Sequence, residues 1–301
     1  MALIHISSLP TEQRNPNTAD IDRVSTLEMV RRINEEDKKV AFAVEKELES
    51  IARAVDAIYE SLRAGGRLIY CGCGTSGRLG VLDAAECPPT YSVEPGLVLG
   101  VMAGGEQAMF RAAEGAEDNA EAGREDMKKI GLCSRDIVVG IAASGRTPYV
   151  LGAMAYAREA GARTVALTCN RASEMNAAAD IPIGVETGPE VITGSTRMKC
   201  GTAEKMVLNM LSTGAMVRLG KVYGNLMVDV MPTNEKLVRR AISIVSTAAG
   251  VDEGRARQAL EQCGFSVKTA IVMLVRGLDA GEAQQRLQET GGVIAKAIGE
   301  G

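Results

Sequence analysis

The chain has 301 residues, 46% hydrophobic and 24% charged, which is enough ordinary globular material for one large α/β core, and no apolar run approaches the roughly 18 residues that span a bilayer. A formal net charge of −4, with Lys and Arg scattered, leaves no basic stripe for a phosphodiester backbone; neither nucleic acid nor membrane is an expected partner.

Residues 1–24 carry Pro10, Pro16 and no hydrophobic period, so they read as an extended arm. They lack the basic start and apolar stretch of an export signal, and the cytoplasm is the expected location. Ser25-Thr26-Leu27-Glu28 has capping-box spacing and opens a short helix ending near Asn34. A long helix over 37–64 is marked by Val40, Val44, Leu48, Ile51, Val55, Ile58 and Leu62, and Gly65-Gly66 ends it. Strands are then expected at 67–71, 97–102, 136–142, 163–168 and 181–185. Helices are expected at 78–86, stopped by Cys87-Pro88-Pro89, at 106–127 with a break near Gly123, and at 147–160, 173–179 and 196–219. After residue 233 strand signals vanish, and short helices are punctuated by Gly250, Gly264, Gly277 and Gly291-Gly292.

This alternation predicts an α/β fold, a parallel sheet flanked by helices in a Rossmann-like topology, with ligands at the C-terminal ends of the strands and a small C-terminal all-helical domain. The expected division is an arm at 1–24, a ligand-binding domain at 25–240 and helices at 241–301.

The seven cysteines form no C-x-x-C pair and read as reduced thiols, mostly small core residues. The one histidine, His5, lies in the arm, expected to be mobile. Triads built on histidine and histidine-bound metals therefore lack material, so proton transfer falls to Glu, Asp, Lys, Tyr or Cys.

Gly72-Cys-Gly-Thr-Ser-Gly77 lies between a strand and a helix, where glycines free the backbone and helix amides face an anion. It also fits G-x-G-x-x-G. A dinucleotide would want an acid at the end of the next strand, however, and Glu94 precedes that strand while Glu106 follows it by four residues. Ala142-Ala-Ser-Gly-Arg-Thr147 repeats the chemistry. Two hydroxyl-rich turns on one sheet suit a terminal phosphate, whose three oxygens want donors from several directions. The binding set is Thr75, Ser76 and Gly77 in the first loop and Ser144, Gly145 and Thr147 in the second. The alternative is that these hydroxyls are plain N-caps. Arg78 and Arg146 could add charge, or be solvated or paired.

Strand-GTSGR-helix followed by strand-ASGRT-helix resembles the sugar isomerase (SIS) fold, which holds phosphosugars. The strings Gly74–Gly80, Asp83-Ala-Ala-Glu-Cys-Pro-Pro-Thr-Tyr91, Glu114-Gly-Ala-Glu-Asp118, 140–149, Thr193-Gly-Ser-Thr-Arg-Met-Lys199 and Gly224–Asp229 with Thr233–Lys236 are similar to the N-acetylmuramic acid 6-phosphate etherase family over nearly the whole chain. Cys71 and Cys73 in the first loop have no evident role.

That resemblance implies a homodimeric carbon–oxygen lyase, needing no cofactor and no metal, that cleaves the D-lactyl ether of N-acetylmuramic acid 6-phosphate in amino-sugar recycling. It puts catalysis on Glu86 and Glu117. Glu86, ending a helix under Pro88-Pro89, would have its pKa raised by the dipole and by desolvation and so serve as acid; Glu117 would be the base. Glu190 is a third candidate carboxylate. Ser195, Arg197 and Lys199 open the next helix, where they either bind an anion or only cap and pair. Gln262-Cys-Gly-Phe-Ser266 resembles the loop of ubiquitin-associated-type helical modules, here for packing. The rival functions are an aldose–ketose phosphosugar isomerase and a non-catalytic sugar-phosphate-binding regulator.

Overall fold

The computed structural model of the chain describes residues 10–111, 113–230 and 234–300; His5 lies outside them. By its packing the chain divides into two units, one of residues up to 85 with 96–212, the other of residues 86–95 with 213–301.

The first unit begins with a departure from the expected extended arm. Residues 10–23 form three short 3-10 turns, Pro10–Glu12, Pro16–Thr18 and Ile21–Arg23. The Asn15 side-chain amide donates to the Pro189 carbonyl at 3.2 Å and the Thr18 hydroxyl to the Val191 carbonyl at 2.8 Å. Polar side chains, not an apolar stripe, hold this segment, so hydrophobic periodicity is blind to it.

Helix α1 (Thr26–Glu45) is capped by Ser25, whose hydroxyl accepts from the Glu28 amide at 3.3 Å. The Glu28 carboxylate accepts from Arg32 at 3.0 Å instead of reaching back to close the box. The break before α2 (Leu48–Arg63) falls at Lys46-Glu47, not near Asn34. No Gly or Pro interrupts 34–37, whereas Glu47 is drawn inward, its carboxylate accepting from Arg171 and from the Gly184 amide.

All five expected strands form: β1 (Leu68–Gly72), β2 (Val98–Met102), β3 (Ile137–Ile141), β4 (Arg163–Thr168) and β5 (Ile181–Gly184). They make one parallel sheet in the order β2-β1-β3-β4-β5. Every residue of β1 and β3 is buried, as a sheet covered on both faces requires.

Helix α3 (Gly74–Tyr91) follows β1 and runs past the expected stop at Glu86 through Pro88 and Pro89. Proline's fixed φ is helical; it forfeits amide bonds only in the final turns, and the Ser92 amide closes the end on the Pro88 carbonyl at 2.9 Å.

The helix expected over 106–127 is instead two 3-10 turns, Glu106–Met109 and Ala116–Asp118, entered by Gly105 and Gly115 at positive φ, and then α4 (Ala120–Lys129). Gly123 lies inside α4 as a contact point, not a break. A Cβ on Gly123 would sit 2.0 Å from the Tyr149 carbonyl oxygen of α5 (Pro148–Glu159), and one on Gly152 of α5 would sit 1.9 Å from that of Ala120. Helix α6 (Glu174–Ala178) links β4 to β5, and α7 (Lys199–Arg218) follows β5.

The second unit contains the hairpin of β6 (Val222–Tyr223) and β7 (Leu226–Met227). Its helices are α8 (Glu235–Ala249), α9 (Glu253–Gln262), α10 (Val267–Arg276), α11 (Ala280–Glu289) and α12 (Ile294–Ile298). They close on a core that includes Ile242, Val245, Leu260, Ile271 and Leu287. The expected glycine-aromatic turn joins α9 to α10, with Gly264 and Phe265 both at φ +62°.

The helix crossing gives a direct test. Gly152→Ala forces two backbones apart and lowers stability by ~1–3 kcal/mol, read as a lower urea midpoint at unchanged m-value. An unchanged midpoint contradicts the close approach.

Candidate active site

β1 and β3 pair with Gly72 opposite Ile141, so the loops leaving their C-terminal ends start side by side. The chain winds outward from this pair in both directions, β2 on one side and β4 and β5 on the other, which makes it the crevice where such sheets take ligands. Both turns need glycine. A Cβ on Gly77 would fall 2.7 Å from the Gly72 carbonyl oxygen, so only glycine lets α3 start tight against the strand and aim its first amides outward. Gly145 has φ +67°, and a Cβ there would meet the Ser173 side chain at 2.4 Å.

The hydroxyls on these turns are not spent as helix caps. Thr147 precedes α5 but makes no capping bond with its side chain. The Ser144 hydroxyl accepts only a long 3.4 Å contact from the Arg146 amide. Ser76 donates to Glu204 Oε1 at 2.8 Å. Thr75 reaches α7, where a Cβ on Gly201 would stand 3.4 Å from its methyl group. Ser195 is half-buried in the turn before α7, its carbonyl accepting from the Met198 amide at 3.2 Å.

Arg78 is committed elsewhere: its guanidinium donates to the carbonyls of Ala108 (2.8 Å) and Met109 (3.0 Å), holding the turn after β2. Arg146 keeps its Nε buried with no partner among the described residues.

Of the two glutamates expected to be catalytic, Glu117 lines a cavity of about 190 Å³ together with Cys73, Gly74, Arg78, Glu114 and Gly115, so one carboxylate adjoins the first glycine loop. Cys73 senses it: burial first, and then the Glu117 charge, push the thiol up to about 12, which keeps it protonated.

The physical case for Glu86 as acid is corrected. The residue is exposed, and α3 continues five residues beyond it, so neither helix terminus nor prolines desolvate it. Glu117 is exposed as well.

A wider cleft of about 700 Å³ lies beside β5, lined by Lys46, Glu47, Arg171 and Ser173. Its charges Glu47 and Arg171 pair with each other, and it holds neither glycine turn.

For Glu190 and Lys199 the structure shows the capping and pairing alternative. Glu190 is fully buried and accepts from the amides of Lys199 (3.0 Å) and Cys200 (2.9 Å), capping α7. Lys199 is 1% exposed and pairs with Glu36 at 2.8 Å. Burial alone would raise the Glu36 carboxyl, but hydrogen bonds from Lys199, Lys39, Asn17 and Asn15 hold it at about 2.

The residue missed by sequence reasoning is Glu204. It lies on the buried stripe Cys200, Glu204, Leu208, Leu211 and Ala215 of α7, and a carboxylate at an apolar helical period was its available signal. Burial pushes its carboxyl up to about 8, against which the Ser76 hydrogen bond works.

The sign of this shift sets a prediction. The unfolded chain releases the Glu204 proton near 4.5 and the folded chain holds it to about 8, so the protonated form stabilises fully below 4.5 and that contribution is lost as pH climbs through 8. Glu204→Gln, which cannot ionise, therefore gains stability over the native chain between pH 5 and 8, by ~1.4 kcal/mol per pH unit. Thermal unfolding across that range measures it; a pH-independent difference contradicts the shift.

Comparison with known proteins agrees with the α/β fold. Residues 50–158 match the glucokinase regulatory protein N-terminal SIS domain family, and residues 119–214 match the SIS domain family. The phosphoheptose isomerase from Francisella tularensis shares the fold at TM-score 0.51 and 17% identity, over 64% of this chain and 100% of that one. N-acetylmuramic acid 6-phosphate etherases are far nearer in sequence. That of Clostridium botulinum (strain Okra / Type B1) is 59% identical over 100% of this chain and 99% of its own length. The one from Clostridium beijerinckii is 55% identical with the same coverage. That of Caldanaerobacter subterraneus subsp. tengcongensis is 54% identical over 97% of this chain and 96% of its own. With the paired turns, the α/β fold and full-length identities above half all in agreement, the chain belongs to the N-acetylmuramic acid 6-phosphate etherase family.

Proposed function

We propose that this chain cleaves the D-lactyl ether of N-acetylmuramic acid 6-phosphate, yielding N-acetylglucosamine 6-phosphate and D-lactate, with the phosphate held by the two turns. The observation that supports the reading is the in-register pairing of β1 and β3, from whose adjacent C-terminal ends leave the loop carrying Thr75, Ser76 and Gly77 and the loop carrying Ser144, Gly145 and Thr147. A phosphate dianion wants convergent donors of this kind. Ser195 is assigned to the same anion set.

An alkyl ether resists direct hydrolysis, so the route runs through the open-chain aldehyde, which acidifies the hydrogen on carbon 2. A carboxylate takes that proton, and the electron pair forms the carbon 2–carbon 3 double bond. The carbon 3–oxygen bond breaks, and an acid protonates the departing lactate oxygen. Water then adds across the double bond, its hydroxyl to carbon 3 and its proton to carbon 2. No step needs a metal or a redox cofactor, and acid and base can each supply roughly 10²–10⁴ in rate.

Glu117, on the cavity beside the glycine loop, is assigned as base. Glu86 is assigned as acid on the family resemblance, since its exposure on α3 offers no independent argument. The functional division proposed is a catalytic domain at 25–240 and a helical appendage at 241–301. Among the described residues no helix is long and apolar enough to cross a membrane; a cytoplasmic homodimer belongs to the same proposal. Leu27, Val30 and Phe42, exposed on α1, supply apolar surface for pairing.

The test is lactate release from N-acetylmuramic acid 6-phosphate in heavy water. The native chain releases lactate and places deuterium at carbon 2. Glu86→Gln keeps carbon 2 exchange while lactate release falls by about 10²–10⁴, and Glu117→Gln loses both. Full exchange in Glu117→Gln removes it as base. Isomerised sugar phosphate with no lactate overturns the lyase assignment.

A further inference from the structure

Resting on the proposed phosphate site, we infer that Glu204 is a positioning residue which acts as a neutral acid, donating its proton to Ser76 Oγ so that the Ser76 hydroxyl proton is free to point at the phosphate. Ser76 Oγ stands 2.8 Å from Glu204 Oε1 in the first turn of α3, where the anion is to be held. If the carboxyl is ionised, that contact consumes the one proton Ser76 has, and the serine turns only lone pairs to the ligand. If the carboxyl is neutral, the same contact runs in the opposite direction and the serine becomes a donor.

The surroundings favour the neutral form. Glu204 is fully buried, and Oε2 has no hydrogen-bond partner among the described residues. A carboxylate would leave half its charge uncompensated there, whereas a neutral acid leaves only a carbonyl lone pair. Among the described residues no cation acts on the group. From α3 it meets Ser76, and its charge acts through space on the thiol of Cys169 after β4, itself held protonated by its contact with Cys200 and by burial. Lys205, next along α7, is turned to Asp83 at 2.7 Å. Glu190 lies further toward the helix start, bound to backbone amides. Burial raises the Glu204 carboxyl to about 8, in line with this arrangement. An arriving phosphate adds negative charge beside it and raises the carboxyl further, so binding and protonation support each other.

The consequence is a phosphate grip that loosens in mild alkali. It is measured as the dissociation constant of N-acetylglucosamine 6-phosphate, by calorimetry on the full chain from pH 7 to 9.5, where the ligand's own second ionisation near 6 is complete. In the native chain affinity falls roughly tenfold across this range, the size of a one-unit coupling. Glu204→Gln, whose amide donates to Ser76 at every pH, binds with a flat profile. Glu204→Leu, which offers no donor, binds several-fold more weakly at pH 7, and Glu204→Gln restores that loss. Parallel profiles in the native chain and Glu204→Gln, or native binding that tightens with rising pH, overturn the role of Glu204 while leaving the site intact. Ser76→Ala separates the two ideas. If it weakens binding more than about tenfold, the phosphate site stands; unchanged binding removes the site and the inference with it. Should Glu204→Leu fail to fold, the native and Glu204→Gln profiles decide alone.

Discussion

Everything at the site depends on two backbone turns that only glycine permits, at the ends of two adjacent parallel strands. Gly77 must lie against the Gly72 carbonyl, and Gly145 must take a left-handed φ against Ser173. Those two constraints fix where α3 begins and how the chain leaves β3 toward α5, and so fix the direction of the amides and hydroxyls they carry. The remainder of the first unit is arranged to hold that pair of turns still. Arg78 pins the loop after β2, the Gly123–Gly152 crossing lets α4 and α5 approach, and Glu190 finishes the start of α7 from a distance.

The buried carboxyls sort by what compensates them. Glu36 has two lysines and asparagine donors; Glu190 has two helix amides. Glu204 has a serine alone, and it is the one carboxyl among these that burial raises to about 8. The first two carboxylates are therefore neutralised by bonds within the fold, while the group beside the first glycine turn is left to hold its proton. Exposed Glu86 and Glu117 form a third class, open to solvent and available to a ligand.

The strands were legible because an apolar run of five residues bounded by glycine has few other readings, and the glycine loops because their spacing is tied to a mechanism. The etherase motifs were legible as strings. What stayed hidden depends on partners distant in sequence. Thr18 and Asn15 make residues 10–23 a packed segment through carbonyls more than 170 positions away. Lys199 stays open between anion ligand and structural pair until Glu36, 163 positions earlier, is seen against it. Pro88 and Pro89 suggested a helix end because proline is costly within a helix, yet only the last turns bear that cost here. Glu204 drew no notice inside an apolar helix, although its place on the buried stripe marked it.

The central claim is that the two turns grip one phosphoryl group. The most direct measurement is a crystal structure of the chain soaked with N-acetylglucosamine 6-phosphate. The account predicts phosphoryl oxygens within hydrogen-bond distance, ~3 Å, of Ser76 Oγ and of the Ser144 or Thr147 hydroxyl. A phosphoryl group seated elsewhere, with both turns untouched, contradicts it.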